Sequence, residues 1–195
     1  MPFVSHIPDL PVFEDLDKVL EDLMRDRGLE WKHNQMCVNT LPETPDDYHV
    51  GVNIFGKEPL TDEQIEYMRR VGEKSPEDIE WIRQNRHITE SSFSDTLCAK
   101  FEDTPFEEIS NAVRKKYVIG RMRITKLLPS RILAWHKDVS NRIHYPITTN
   151  EHCAMIFEGN NIVHFPANSW WYARVSEYHH TAYNASTIER IHINT

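Results

Sequence analysis

Several things are scarce in this 195-residue sequence, and each scarcity excludes something. No apolar run comes near the ~20 residues that a membrane-spanning helix needs. There are three cysteines, Cys37, Cys98 and Cys153, far apart and odd in number, so neither a zinc-ligand spacing nor a disulfide framework can be drawn from them. The start, MPFVSHIPDL, lacks the basic opening and long apolar stretch of a secretory leader, and a reducing cytoplasm is the expected compartment. Basic charge is short: 22 Lys+Arg against 30 Asp+Glu, a net charge of −8, which argues against an overall basic nucleic-acid binder. There is no internal repeat, no low-complexity tract and no HExxH motif of a zinc hydrolase.

What is present is unevenly spread. Residues 1–112 hold 11 Lys+Arg and 25 Asp+Glu, whereas residues 113–195 hold 11 and 5, so the second half could attract small anions. Seven of the eleven histidines also lie at or after residue 131. The hydrophobic period changes at the same place. Val12, Phe13, Leu16, Val19, Leu20, Leu23 and Met24 keep the spacing of one helix face. Thr61 with Gln64 reads as a capping box, and Leu60 with Ile65 as a hydrophobic staple. Ser75-Pro76 and Thr104-Pro105 each place a capping residue before a proline at the first helical position. Helices are therefore expected near 12–25, 62–71, 76–85 and 105–117, with a loop over 40–51 and edge strands within 30–40 and 94–101. After Tyr117 come eight short strand-like runs punctuated by turn residues: RMRITKLL, RILAWHKD, RIHYPIT, CAMIFEG, NIVHF, SWWYARV, HTAYNAS and ERIHINT. They predict a jelly-roll barrel with the helices packed on one outer face. One domain is expected over 1–195, helix-rich to 117 and jelly roll from 118.

Four polar residues stand out on these strands. His136 and Asp138 are two apart, as are Arg142 and His144, and residues i and i+2 of a strand share a face. Polar side chains on a buried face are costly unless something pairs them, so the pattern points to a ligand. A third histidine would complete a set of two histidines and one carboxylate, which leaves open positions on ferrous iron. His180 and His179 compete for that place, since only one of two neighbours can point inward. Ten residues after His180 stands Arg190, whose planar fork suits a carboxylate.

The segments HKD at 136–138, RIHYPI at 142–147 and HTAYNASTIERIHI at 180–193 resemble the aspartyl/asparaginyl β-hydroxylase-type group of Fe(II)/2-oxoglutarate oxygenases, which includes hydroxylases of free proline. The resemblance covers roughly 120–195. It implies a double-stranded β-helix core, cupin-like and equivalent to the jelly roll expected above, and a dioxygenase that consumes O2 and 2-oxoglutarate to hydroxylate a C–H bond. By carry-over, His136, Asp138 and His180 would bind Fe(II). Arg190 would hold the far carboxylate of 2-oxoglutarate, His144 would contact its carboxylate near the metal, and Arg142 would touch cosubstrate or substrate. The sequence given runs barely past its last strand, so the N-terminal helices and loops are expected to close the pocket.

The expected substrate is a small polar molecule such as a free amino acid, or an Asp/Asn-type residue of a peptide, with no nucleic acid or membrane as partner. A non-catalytic jelly-roll module that binds a metal or small anion is the competing function. Arg121, Arg123 and Lys126 read as an exposed strand face, though Arg121 or Arg123 could reach an anionic substrate group. His192, on the face of Arg190, reads as its supporting partner or as a core histidine. Asn184 and Cys153 read as structural, and Trp170, Trp171 and Tyr172 as packing.

Overall fold

The structure is a computed structural model that describes residues 2–52, 59–70, 75–93 and 96–195. Its N-terminal elements are β1 (Val4–His6), α1 (Leu16–Asp26), β2 (Gln35–Cys37), β3 (Asn39–Thr40), α2 (Asp62–Arg70), α3 (Pro76–Gln84), β4 (Thr96–Leu97) and α4 (Pro105–Lys116). Eight strands follow: β5 (Arg123–Leu127), β6 (Arg131–Ile132), β7 (Arg142–Thr148), β8 (Cys153–Phe157), β9 (Asn161–Val163), β10 (Trp171–Ala173), β11 (His180–Asn184) and β12 (Arg190–Asn194). They divide between a six-stranded sheet, β1-β10-β7-β12-β5-β2, and a four-stranded sheet, β6-β11-β8-β9. Every pairing is antiparallel. The eight later strands thus contribute four to each sheet and cross between them at every step except from β8 to β9, and this order is the double-stranded β-helix, or jelly roll. β1 and β2 extend the larger sheet at its two edges.

Period-two alternation sorts the side chains of the larger sheet. Ile124 of β5, Ile143, Tyr145 and Ile147 of β7, and Ile193 of β12 point outward. There they meet Leu16, Leu20 and Leu23 of α1 and Phe106, Ile109 and Val113 of α4 in one buried cluster. The opposite positions, Arg123 and Thr125, Arg142 and His144, and Arg190, His192 and Asn194, line the barrel interior together. The rest of the interior is apolar, filled by Met155, Phe157, Phe165, Val175 and Ala182, of which Met155 and Ala182 line the same space as the polar residues. No helix among the described residues is long and apolar enough to cross a membrane.

Most boundaries fall within a residue or two of the expected ones. Residue 71 of the expected second helix and residues 94–95 of the expected edge strand lie outside the described residues. The expected capping box of Thr61 with Gln64 forms, and the capping residue Ser75 forms a second one with Asp78. The first helix begins at Leu16 rather than at Val12. The Tyr145 hydroxyl takes the Phe13 amide at 3.0 Å and donates to the Phe13 carbonyl at 2.9 Å, which holds that residue outside the helix. RILAWHKD is strand only over its first two residues. β1 is an element that periodicity did not reveal.

Asp78 ties the N-terminal segments together. Its carboxylate accepts from the Ser75 amide at 3.1 Å and hydroxyl at 2.8 Å, and lies 2.7 Å from His33 Nε2. Burial alone would raise this carboxyl, but the Ser75 bonds and His33 outweigh it and hold its pKa at about 2. A depressed folded-state pKa stabilises the protein above the unfolded value, and that stability is lost as pH falls through the folded one. Asp78→Ala is therefore expected to cost roughly 2 kcal/mol at pH 7 and to flatten the loss of stability between about pH 4 and pH 2. Urea midpoints measured across that range check it, and an unchanged acid limb would contradict it.

Candidate metal centre

After β6 ends, the chain continues along the edge of β11 without forming a regular strand. Leu133 N donates to Ala182 O at 2.9 Å, and His136 and His180 exchange both backbone bonds, at 3.0 and 2.8 Å. Asp138 N then reaches Val175 O at 3.0 Å. These anchors set His136 and Asp138 beside His180. The three residues offer ligand atoms that all lie within 4.8 Å of one another. The imidazole centroids of His136 and His180 are 4.5 Å apart. His136 Nε2 stands 3.6 Å from Asp138 Oδ1. Backbone alternation turns the two neighbours apart: His180 is 4% exposed, whereas the His179 side chain is turned out onto Glu158.

The ring orientations suit a metal. His136 Nδ1 faces the Ala134 carbonyl at 2.6 Å, and His180 Nδ1 faces that of Tyr178 at 3.4 Å. A proton on each Nδ1 satisfies these carbonyls and leaves each Nε2 lone pair for an ion. Burial alone would raise the Asp138 carboxyl, but the neighbouring His136 and the charge of Arg142 hold it well below the usual carboxylate range. The carboxylate of Asp138 beside it also raises His136, whereas burial lowers His180. An anionic carboxylate between two imidazoles is a donor set for a divalent ion.

A cavity of about 360 Å³ opens beside these residues. Arg190 lies in its wall, 8% exposed. Its Nη2 is 3.3 Å from His192 Nδ1, and no carboxylate among the described residues forms an ion pair with it. Burial lowers its pKa to about 10, so the guanidinium keeps its charge at pH 7. His144 adds a neutral ring whose two nitrogens are both buried without a partner; burial, with the Arg190 charge beside it, lowers its pKa to about 3. His192 Nε2 and Asn194 Oδ1 are buried and unpartnered too. All four groups face the same space. Arg142 also lines it, but its guanidinium is engaged: Nε is 3.2 Å from Asp138 Oδ2 and Nη2 is 3.6 Å from Glu90 Oε1.

Sequence reading placed six candidate residues, and the fold brings all six to one cavity. It gave no role to Glu90, which sits in a short 3-10 turn and bridges Arg142 to Arg121, the latter at 3.2 Å. Nothing local marks Glu90, because its partners are more than 30 positions away. The expectation of an exposed face for Arg121 and Arg123 is corrected. Arg121 is 3% exposed, and Arg123 turns inward from β5 to line the cavity. Lys126 is not exposed either: its side chain is 12% exposed, pairs with Glu189 at 3.0 Å and also lines the cavity. Asn184 and Cys153 are structural as expected: Asn184 Nδ2 bonds Leu127 O and Ile188 O, and Cys153 Sγ lies 3.2 Å from Asn184 Oδ1.

No family model and no curated protein matches this sequence. Solved structures similar to it include an oxidoreductase of the 2OG-Fe(II) oxygenase family from Burkholderia pseudomallei, at 11% identity over 98% of this chain and 82% of that one, with a TM-score of 0.48. NgTET1 in complex with 5mC DNA aligns at 15% identity over 98% and 70%, with a TM-score of 0.47. A cupin domain from Bordetella pertussis Tohama I aligns at 13% identity over 38% and 76%, with a TM-score of 0.33. The order of the strands in the two sheets defines the architecture of this chain as a cupin-like double-stranded β-helix.

Proposed function

We propose that the protein is an Fe(II)- and 2-oxoglutarate-dependent dioxygenase that hydroxylates a C–H bond of a small polar substrate. The observation that carries this reading is Arg190, a buried guanidinium without a carboxylate partner among the described residues, in the same cavity as His136, Asp138 and His180. A bare metal module needs no such group, because an unpaired buried charge is costly. A dicarboxylate with a keto-acid end satisfies both features at once.

The residues fit both groups. His136 Nε2, Asp138 and His180 Nε2 would hold ferrous iron and leave positions open. Arg190 would take the far carboxylate of 2-oxoglutarate through two charge-assisted bonds. His144 would offer a neutral ring to the carboxylate nearer the metal. Arg142 would act through Asp138, holding one carboxylate oxygen so that the other faces the metal. This positioning role stands beside the carried-over one, in which Arg142 touches cosubstrate or substrate. When bound, iron and 2-oxoglutarate supply the oxidation: O2 and 2-oxoglutarate are consumed, succinate and carbon dioxide are released, and a substrate C–H becomes C–OH. The apolar part of the barrel, with Met155 and Phe157, keeps bulk water from that side.

The finer assignment is to the aspartyl/asparaginyl β-hydroxylase type. It is supported by Arg142 and His144 both facing inward from β7, as the RxH strand of that group implies. The helix-rich part, 1–117, and the jelly roll, 118–195, would work as one unit, because they share the cluster beneath the larger sheet. A reducing compartment would suit three buried thiols and a ferrous ion.

Succinate release tests this function. Protein with Fe(II), ascorbate, O2 and 2-oxoglutarate is screened against free amino acids, beginning with proline and the acidic ones. Metal-dependent succinate formation that rises with one added compound, and is lost in His136→Ala, is the expected result. If neither succinate forms nor 2-oxoglutarate binds, a metal- or anion-binding module remains.

A further inference from the structure

A second and larger cavity, about 690 Å³, adjoins the metal cavity. His33, Gln35 and Arg123 line both, so the two spaces share one wall. Segments outside the jelly roll build most of the larger one. Tyr48, Val50 and Val52 come from the loop after β3, Met68 from α2, and Trp81 from α3. A space of this size accommodates a small organic ligand. Its described walls combine rings and apolar side chains, Tyr48, Val50, Val52, Met68 and Trp81, with charged ones, and the carboxylates among them are exposed or already paired. Asp47 and Glu77 are exposed, and Asp78 is held by Lys32 and His33.

The charges along the shared wall do not balance. Four guanidiniums, of Arg121, Arg123, Arg142 and Arg190, line the two cavities. Two carboxylates, Glu90 and Asp138, are paired with them. Glu90 serves Arg121 and Arg142, and Asp138 serves Arg142. On the proposed reading, Arg190 is taken by 2-oxoglutarate. A divalent metal and doubly charged 2-oxoglutarate cancel each other, so loading the site leaves the positive excess in place. Arg123 is the guanidinium left without an ion pair, the Glu90 charge acting on it only from beyond ion-pair distance. One nitrogen donates to Gln35 Oε1 at 3.2 Å, Nε is buried without a partner, and no carboxylate among the described residues forms an ion pair with it. Burial lowers its pKa to about 10, so it remains charged.

We propose that Arg123 is the specificity-determining residue for the substrate: it binds the anionic group of a small organic acid whose ring-bearing, apolar body lies in the larger cavity against Tyr48 and Trp81. This rests on the oxygenase reading for the word substrate, but the binding itself can be measured apart from turnover. The shared wall would hold the acid group at the boundary of the metal cavity, where the molecule is presented to the metal. Arg121 is excluded from this role because Glu90 already holds it, and Lys32 because it lies at Asp78.

The probes are indole-3-acetate and its neutral twin indole-3-acetamide, which differ in charge and little in shape. Each is titrated by calorimetry into anaerobic protein loaded with Fe(II) and 2-oxoglutarate, whose visible charge-transfer band independently reports that the cosubstrate is bound. The acetate is expected to bind at least tenfold more tightly than the amide. In Arg123→Gln that preference disappears while half-saturation by 2-oxoglutarate stays within twofold, and in Arg123→Lys part of the preference returns. Equal binding of the two compounds, binding of neither at millimolar concentration, or a preference that survives Arg123→Gln would overturn the proposal. So would loss of the 2-oxoglutarate band in Arg123→Gln, which would give Arg123 to the cosubstrate. Absence of the band in the parent protein would instead overturn the oxygenase reading, and the acetate preference would then identify Arg123 as an anion site without catalysis.

Discussion

Arg190→Met is expected to make the ligand-free protein more stable and to destroy its affinity for 2-oxoglutarate. The two effects have one cause. Arg190 is 8% exposed, bonded only to His192 among the described residues, and charged. Holding that charge away from water costs stability while no carboxylate repays it, and methionine fills similar volume without the penalty. The gain should be about 1–3 kcal/mol, within the roughly 1–4 kcal/mol found when buried ionic groups are replaced by packed apolar ones. For a protein of this size it should raise Tm by roughly 3–8 °C. The loss of a buried, doubly hydrogen-bonded carboxylate partner typically costs about 2–5 kcal/mol of binding, so half-saturation by 2-oxoglutarate should rise by about 100-fold or more. Thermal melts without ligand and a 2-oxoglutarate titration check the pair of effects. A variant that melts lower and still binds 2-oxoglutarate normally would mean that Arg190 serves the fold.

Asp138→Ala should behave in the opposite way. Its carboxylate lies 3.6 Å from His136 and 3.2 Å from Arg142, so its removal strips a proposed metal ligand and also leaves Arg142 with Glu90 alone. Breaking a fully buried pair costs about 3–5 kcal/mol. The Asp138 side chain is 27% exposed, so roughly 2 kcal/mol of ligand-free stability is the expected loss. Divalent-metal affinity should fall by at least ~100-fold, since even groups that only support a ligand are worth about 10–100-fold. Asp138→Asn separates the two losses. It keeps the shape and a hydrogen-bond acceptor for Arg142, so it should recover part of the stability and little of the metal affinity. Calorimetric titration with Mn(II), beside melts of both variants, reads this out; metal binding that survives Asp138→Ala would contradict the assigned ligand set.

Much of this site could be read along the chain because β7 and β12 each carry two patterns at once. Ile143, Tyr145, Ile147, Ile191 and Ile193 face the helix side, so the intervening Arg142, His144, Arg190 and His192 had to face the barrel interior. The same alternation turned His180 in and His179 out. The His136–Asp138 pair was legible for a less secure reason. Its segment is not a regular strand, and the two side chains converge because backbone bonds to His180 and Val175 guide the chain. Arg121 and Arg123 were misread, because a charged residue on a short strand looks solvated until its distant partner is known. Glu90 is that partner for Arg121 and lies 31 positions away. The hairpin at His33-Asn34, with φ of 50° and 57°, carries no glycine to announce it, and its anchor, Asp78, lies 45 residues on. β1 is only three residues long, too short for periodicity to register, and it exists because β10 offers an open edge. Local period thus reveals the barrel interior, whereas the long-range pairing that shapes the second cavity emerges only in the folded chain.

The most direct test of the central claim is spectroscopic. Metal-free protein is mixed with Fe(II) and 2-oxoglutarate without oxygen, and the weak visible charge-transfer band of a chelated keto acid is sought in the parent, His180→Ala and Arg190→Met. The account predicts a band in the parent, none in His180→Ala, and in Arg190→Met a band that needs about 100-fold more 2-oxoglutarate. Iron bound by the parent protein with no band at saturating 2-oxoglutarate would contradict it.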